Sequence, residues 1–157
     1  MANQKLQPER AIPVVPSTTI DIPSPAHAIT FNDVTSLSTG KLIDSAASFE
    51  SLGIEADDIV VSYGGTPAIT RVASVDSDTQ LTLDADIFTV VGEDYTIYKN
   101  ISSPALLYVG GTGDIAVQTS GDDAVTFKGV PAGTFIPVHV TRVKTATATD
   151  IIFFFFF

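Results

Sequence analysis

The chain ends in Ile151-Ile152-Phe153-Phe154-Phe155-Phe156-Phe157, seven apolar residues without a charge, and no other feature restricts the fold as strongly. Burying one Phe side chain contributes roughly 1.5–3 kcal/mol, so the segment has a large driving force to leave water. As a strand it alternates, with Phe153, Phe155 and Phe157 on one face and Ile152, Phe154 and Phe156 on the other. Both faces are apolar, so both need a dry surface. Two readings follow: an assembly element buried against a neighbour, or a last strand closing the chain's own core. A membrane-spanning helix takes about 20 apolar residues, more than this ending supplies.

A chain of 157 residues makes one ordinary domain or two small ones, and the smaller of two would gain from oligomerisation. Eighteen acidic against eight basic residues leave a net charge of −10. No run of Lys and Arg is present to neutralise phosphates, so neither a nucleic-acid partner nor a membrane partner is expected. The absence of Cys removes disulfides, thiolate zinc sites and a cysteine nucleophile. The residues from Met1 to Pro8 carry no apolar core of a secretory signal, and synthesis in a cytoplasm is the expectation.

Five of the nine prolines fall within the first 25 residues, each removing an amide donor and fixing φ. Ile12, Val14, Val15, Ile20 and Ile22 stand between them, so the segment reads as an extended arm lying on a surface. From Thr30 to Lys99 the text turns to short β-type runs. Ile59 to Tyr63 and Ile69 to Val72 flank a Gly64-Gly65-Thr66-Pro67 turn, Val75 to Thr79 forms a second turn, and Glu93 to Tyr98 reads as a closing strand. Such spacing suggests a small barrel. Only Ser45 to Leu52 offers a helical or irregular stretch. After Pro104 the β grammar resumes, with a hairpin turn expected at Gly110-Gly111-Thr112-Gly113 and another at Ser120 to Asp123. With no useful 3.6-residue period, the chain is expected to be all-β.

For chemistry the sequence offers little. His27 and His139 are the near-neutral acid–base candidates, and no nucleophile motif accompanies them. Asp57/Asp58, Asp76/Asp78, Asp84/Asp86, Glu93/Asp94 and Asp122/Asp123 are paired carboxylates, but none matches a calcium loop, and Asp favours turns by bonding its own backbone. The glycine run at 110–113 lacks the Lys and helix of a phosphate loop. No catalytic residue, metal or cofactor is expected.

Three stretches carry a resemblance. Ala105 to Val117, Val125 to Thr134 and Pro137 to Val143, together with Ala11-Ile12-Pro13-Val14-Val15-Pro16-Ser17-Thr18-Thr19-Ile20-Asp21-Ile22-Pro23, resemble the head spike base family of tailed phages and gene transfer agents. In that family the arm runs almost directly into the segment beginning near Ala105, whereas here roughly seventy residues intervene. The insert, with Gly40 to Ser45 and Asp84 to Phe88, is similar to small β modules of phage virion proteins. The resemblance implies a non-enzymatic virion protein on the capsid exterior, with the major capsid protein and copies of itself as partners and a fibre or spike protein as a further candidate.

The expected architecture is a β-sandwich-like unit with an inserted small SH3-like barrel: an extended arm over 1–29, the barrel module over 30–99 and the C-terminal unit over 100–157. Capsid or inter-subunit contacts are assigned to Ile12, Val14, Val15, Ile20, Ile22 and Phe153, Phe154, Phe155, Phe156 and Phe157, with inter-subunit burial of the tail placed ahead of core closure. Function is expected as a head vertex (spike base) or decoration protein. The alternatives are a cement protein at shell junctions and a host-attachment or glycan-binding module, for which Tyr63, Tyr95 and Tyr98 are the ligand-facing candidates. Deleting residues 153–157 is the direct test of the assembly role.

Overall fold

The computed structural model describes residues 10–155. In chain order its strands are β1 (Arg10–Pro13), β2 (Ala28–Asp33), β3 (Lys41–Ile43), β4 (Ile59–Ser62), β5 (Ala68–Ser77), β6 (Gln80–Leu83), β7 (Asp94–Tyr98), β8 (Ala105–Val109), β9 (Gly113–Thr119), β10 (Ala124–Val130), β11 (Thr134–Ala146) and β12 (Ile151–Phe155). A single 3₁₀ turn, Pro25–His27, is the helical element among the described residues. The protein is all-β and β-sandwich-like, and its strands form two antiparallel six-stranded sheets. They belong to two compact units: unit 1 is Met1–Pro25 with Ser102–Phe157, and unit 2 is Ala26–Ile101. The arm is therefore part of the C-terminal unit, and the chain divides at 25/26 and 101/102.

In unit 1 the strand order is β1-β12-β8-β11-β9-β10. The thirteen-residue β11 pairs β8 through its first half and β9 through its second. Its register to β8 shifts between Ile136 and Val140, where Pro137 has no amide to offer a ladder. Along β12 the burial alternates: Ile151, Phe153 and Phe155 are buried, Ile152 and Phe154 half-buried. The inward row Ile12–Phe153–Leu107–Ile136 crosses four strands in register. It joins Val109, Ile115, Val117, Val140 and Val143 in the unit 1 core.

The arm is held by its own unit. The Val14, Ser17 and Ile22 amides donate to the Ile151, Val143 and Thr141 carbonyls, so the chain crosses from β12 to the second half of β11. Arg142 clamps it there, donating from Nε to Asp21 Oδ1 at 2.7 Å and from Nη1 to the Thr18 carbonyl at 3.0 Å.

The glycine run after β8 does not make a hairpin. Strands β8 and β9 are not neighbours, because β11 lies between them. The glycines are needed for close approach instead: a Cβ on Gly113 would stand 2.3 Å from the Ala148 amide nitrogen, and the Gly110 and Gly111 amides donate to the Asp150 and Thr149 carbonyls. A βββ text with tight glycines looks like a hairpin in sequence because the strand that separates the two lies farther along the chain.

In unit 2 the order is β2-β7-β4-β5-β6-β3, around a core of Leu42, Phe49, Val60, Leu81, Phe88, Tyr95 and Ile97. The expected barrel is not closed: β2 and β3 are the ends of the sheet, and the chain just past β2 meets β3 through the Ser36–Ile43 bridge and the Thr35 amide, which donates to the Ile43 carbonyl. Strand β5 extends through Ser77, so the turn falls at Asp78-Thr79. Residues 45–52 form turns rather than a helix, tied by Asp78, whose Oδ1 accepts from the Glu50 and Ser51 amides.

Candidate assembly face

The alternation that sends Phe153 and Phe155 inward sends their neighbours outward. Register pairs align the outward residues of the first four strands of unit 1 into two rows. One runs Pro13–Ile152–Tyr108–Phe135 across β1, β12, β8 and β11. The other runs Ala11–Phe154–Leu106 across β1, β12 and β8. Every member is apolar or aromatic, and neither row contains a charge. Phe135 is 57% exposed, while Ile152, Phe154, Leu106 and Tyr108 are half-buried.

Three rings form the high ground of this face. Tyr108 and Phe135 have centroids 5.1 Å apart, Phe135 and Phe154 5.7 Å, and Tyr108 and Phe154 6.4 Å in an edge-to-face arrangement. Aromatic pairs at such separations attract one another beyond their area burial. Beside it, at the β11 register shift, Val138 is also exposed. A contiguous apolar patch on the outer side of a sheet is a candidate interaction surface.

The residues expected to make capsid or inter-subunit contacts divide sharply. Phe153 and Phe155 are 3% and 1% exposed and Ile20 and Ile22 are buried with them, so for these four the chain's own core replaces the inter-subunit expectation. The physical reason is register: β12 is an interior strand between β1 and β8, which gives its inner face a partner within the same chain. Ile12 and Val14 pack partly on that core, and Val15 is half-buried. Phe154 alone of the described tail phenylalanines belongs to the outer face, and Phe156 and Phe157 lie outside the described residues.

The tyrosine groove does not form. Tyr95 and Tyr98 are 1% and 2% exposed. The Tyr95 hydroxyl donates to Asp44 at 2.7 Å, and burial, followed by that hydrogen bond, pushes it far above the ordinary phenol range. Tyr63 is half-buried with its hydroxyl 3.0 Å from that of Tyr98. Tyr95 joins the unit 2 core, and Tyr98, three residues on and so on the opposite face of β7, is covered as well.

Other polar candidates are occupied within the fold. Asp76 bonds Lys41, Gln80, Thr82 and Ser74, and Glu93 accepts from Ser62 and from the Thr89 and Val90 amides. A depression of about 320 Å³ in unit 1 is lined by Asp114 and Lys128, which satisfy each other at 2.8 Å. His27 and His139 are both exposed and lie in different units. Among the described residues no group of three or more His, Asp or Glu is arranged to hold a metal ion.

Tyr108, Phe135, Leu106, Ala11 and Pro13 were not singled out by sequence reasoning. A signal for them existed: Ala105-Leu106-Leu107-Tyr108-Val109 is apolar at every position, and a strand without alternation needs cover on both faces. No family model, curated protein or solved structure matches the chain.

Proposed function

We propose that the chain is a non-enzymatic structural protein of a tailed-phage particle, bound to the capsid exterior as a head vertex (spike base) or decoration protein. The observation that carries this reading is the pair of charge-free rows Pro13–Ile152–Tyr108–Phe135 and Ala11–Phe154–Leu106 on the outer side of the unit 1 sheet, with Phe135 exposed, a surface suited to assembly into a shell. The resemblance of the arm and of residues 105–143 to the head spike base family supports it independently. The arm and β12 supply the rigid backing, since an interface works best when its surface is already in the bound shape. Cement at shell junctions is the same chemistry in a different symmetry, and copies per particle separate the two.

Deleting residues 153–157 does not test the role, because Phe153 and Phe155 are core residues of unit 1. The informative change is Phe135→Ser, which alters the face and leaves the core intact. Covering one Phe contributes roughly 1.5–3 kcal/mol, about ten- to a hundredfold in affinity. Particles purified from cells carrying the gene should hold wild-type protein in a fixed ratio to capsid protein and at least about tenfold less of the variant. Equal incorporation of the two refutes the docking role of this face.

A further inference from the structure

Resting on the reading of this face as an assembly surface of the particle, we infer that its occupant is a second copy of the same chain rather than capsid protein, which would then bind the pair elsewhere, the two copies being related by a two-fold axis that lies in the plane of the face and runs parallel to its strands. The face has a size gradient from edge to edge. Its β1 side carries Ala11 and Pro13, both exposed and small, whereas its β8–β11 side carries Tyr108 and Phe135. A rotation about such an axis keeps each residue's position along the strands and exchanges the two edges of the sheet. Phe135 of one copy then meets Pro13 of the other, Tyr108 meets Ile152, and Phe154 meets Leu106, large against small on both sides. An axis across the strands would instead lay each strand over its own copy, setting the aromatic β8–β11 side against itself and the small β1 side against itself. The face is thus self-complementary in one orientation, as an isologous interface requires, and two stacked sheets pack in this aligned manner.

Charge points to the same occupant. Unit 1 contains six acidic and five basic residues, unit 2 twelve acidic and three basic. A basic partner would be drawn to unit 2, whereas the near-neutral unit 1 presents a face without charge, which suits another surface without charge. The chain itself carries one. Because each copy has a net charge of −10, salt screens the mutual repulsion, and self-association through this face strengthens as salt rises. Association with a basic partner would weaken.

The test is sedimentation velocity of the full chain over a wide concentration range, at low and high salt. Wild type should pass from monomer to dimer, with the dimer favoured by salt. Phe135→Glu and Pro13→Lys should each weaken the dimer by at least about tenfold, the loss expected when an apolar contact is replaced by a buried unpaired charge. Both positions are exposed, and thermal unfolding of each variant checks that the fold is kept. Mixing the two variants should restore a one-to-one dimer, since Glu then faces Lys at one contact and the other contact is wild type. A wild type that stays monomeric, a dimer indifferent to Phe135→Glu, or a mixture that fails to associate overturns the inference. Particle incorporation separates it from the proposed function. A monomeric wild type whose Phe135→Ser variant is lost from particles has another occupant on the face, and the inference falls alone. A dimer that behaves as described while Phe135→Ser still enters particles leaves the inference standing and removes the shell role of the face.

Discussion

In unit 2 six polar or charged side chains are buried, Asp44, Asp58, Ser62, Thr70, Glu93 and Thr96, whereas in unit 1 Ser24 is the buried polar residue among those described. Unit 2 uses its buried carboxylates to tie down loops: Asp44 accepts from the Ala46 amide, Asp58 from the Glu55 amide, and Glu93 from the Thr89 amide. No buried side-chain nitrogen or oxygen is left without a partner among the described residues, which is the condition under which such networks stabilise rather than weaken a core. Unit 1 relies on apolar burial on the inner side of its sheet and leaves apolar side chains on the outer side. The comparison teaches that unit 2 brings polar groups into its interior by pairing them within the chain, while unit 1 keeps its interior apolar and carries two charge-free apolar rows on the outer side of its sheet.

The largest expected effect separates the two cores. Phe153→Ala removes a buried ring from the row Ile12–Phe153–Leu107–Ile136 and should cost unit 1 about 3–5 kcal/mol. Hydrogen exchange should show lost protection in the arm and in β8 to β12, with β2 to β7 unchanged. Equal loss in β2 to β7 would break the division into independent cores.

A smaller effect is expected from Asp44→Ala. It strands the buried Tyr95 hydroxyl and the Asn32 side chain, at a cost of about 1–3 kcal/mol for the unsatisfied group. The loss should fall on unit 2, read by the same exchange experiment, and a loss shared with unit 1 would contradict the comparison.

The smallest effect is on acid stability. Hydrogen bonds from Lys41, then Gln80 and Thr82, hold Asp76 well below its ordinary value of 3.8. The folded state therefore binds that proton less readily than the unfolded chain, so the contribution is present above pH 3.8 and is lost as pH falls below it. Asp33 has the opposite sign: its hydrogen bond with Asp94, then burial, raise it, so its contribution is present below 3.8 and fades as pH climbs through the raised value. Thermal unfolding should show Asp76→Asn less stable than wild type at neutral pH, with the gap starting to narrow as pH falls below 3.8 and closing only as pH falls through the depressed folded-state value. A gap that does not narrow at all as pH falls below 3.8 would mean that Asp76 acts through packing rather than charge.

Much of the fold was legible where the cause was local. The turns at Gly64-Gly65 and at Ser120 to Asp123 lie between paired strands β4–β5 and β9–β10, because Gly and Asp supply the backbone conformations that turns need. Less was legible where the partner is distant. Gly110 to Gly113 reads as a hairpin until β11 is seen between β8 and β9, and Tyr95 reads as a surface aromatic until Asp44 is seen at its hydroxyl. The assembly face was half visible: the two apolar faces of the tail were plain in its alternation, but Tyr108 and Phe135 join them through register pairs that span the chain.

By itself the sequence determined the strand class, the turns, the acidic balance and the fact that the tail and β8 are apolar on both sides, because strand period and turn chemistry act over a few residues. The tertiary structure decided which side of each strand finds cover. Phe153 and Phe155 lie over Leu107 and its neighbours inside the chain, while Phe154 points outward with Tyr108 and Phe135. Period two places residues on a face, but only long-range strand pairing selects what lies against that face.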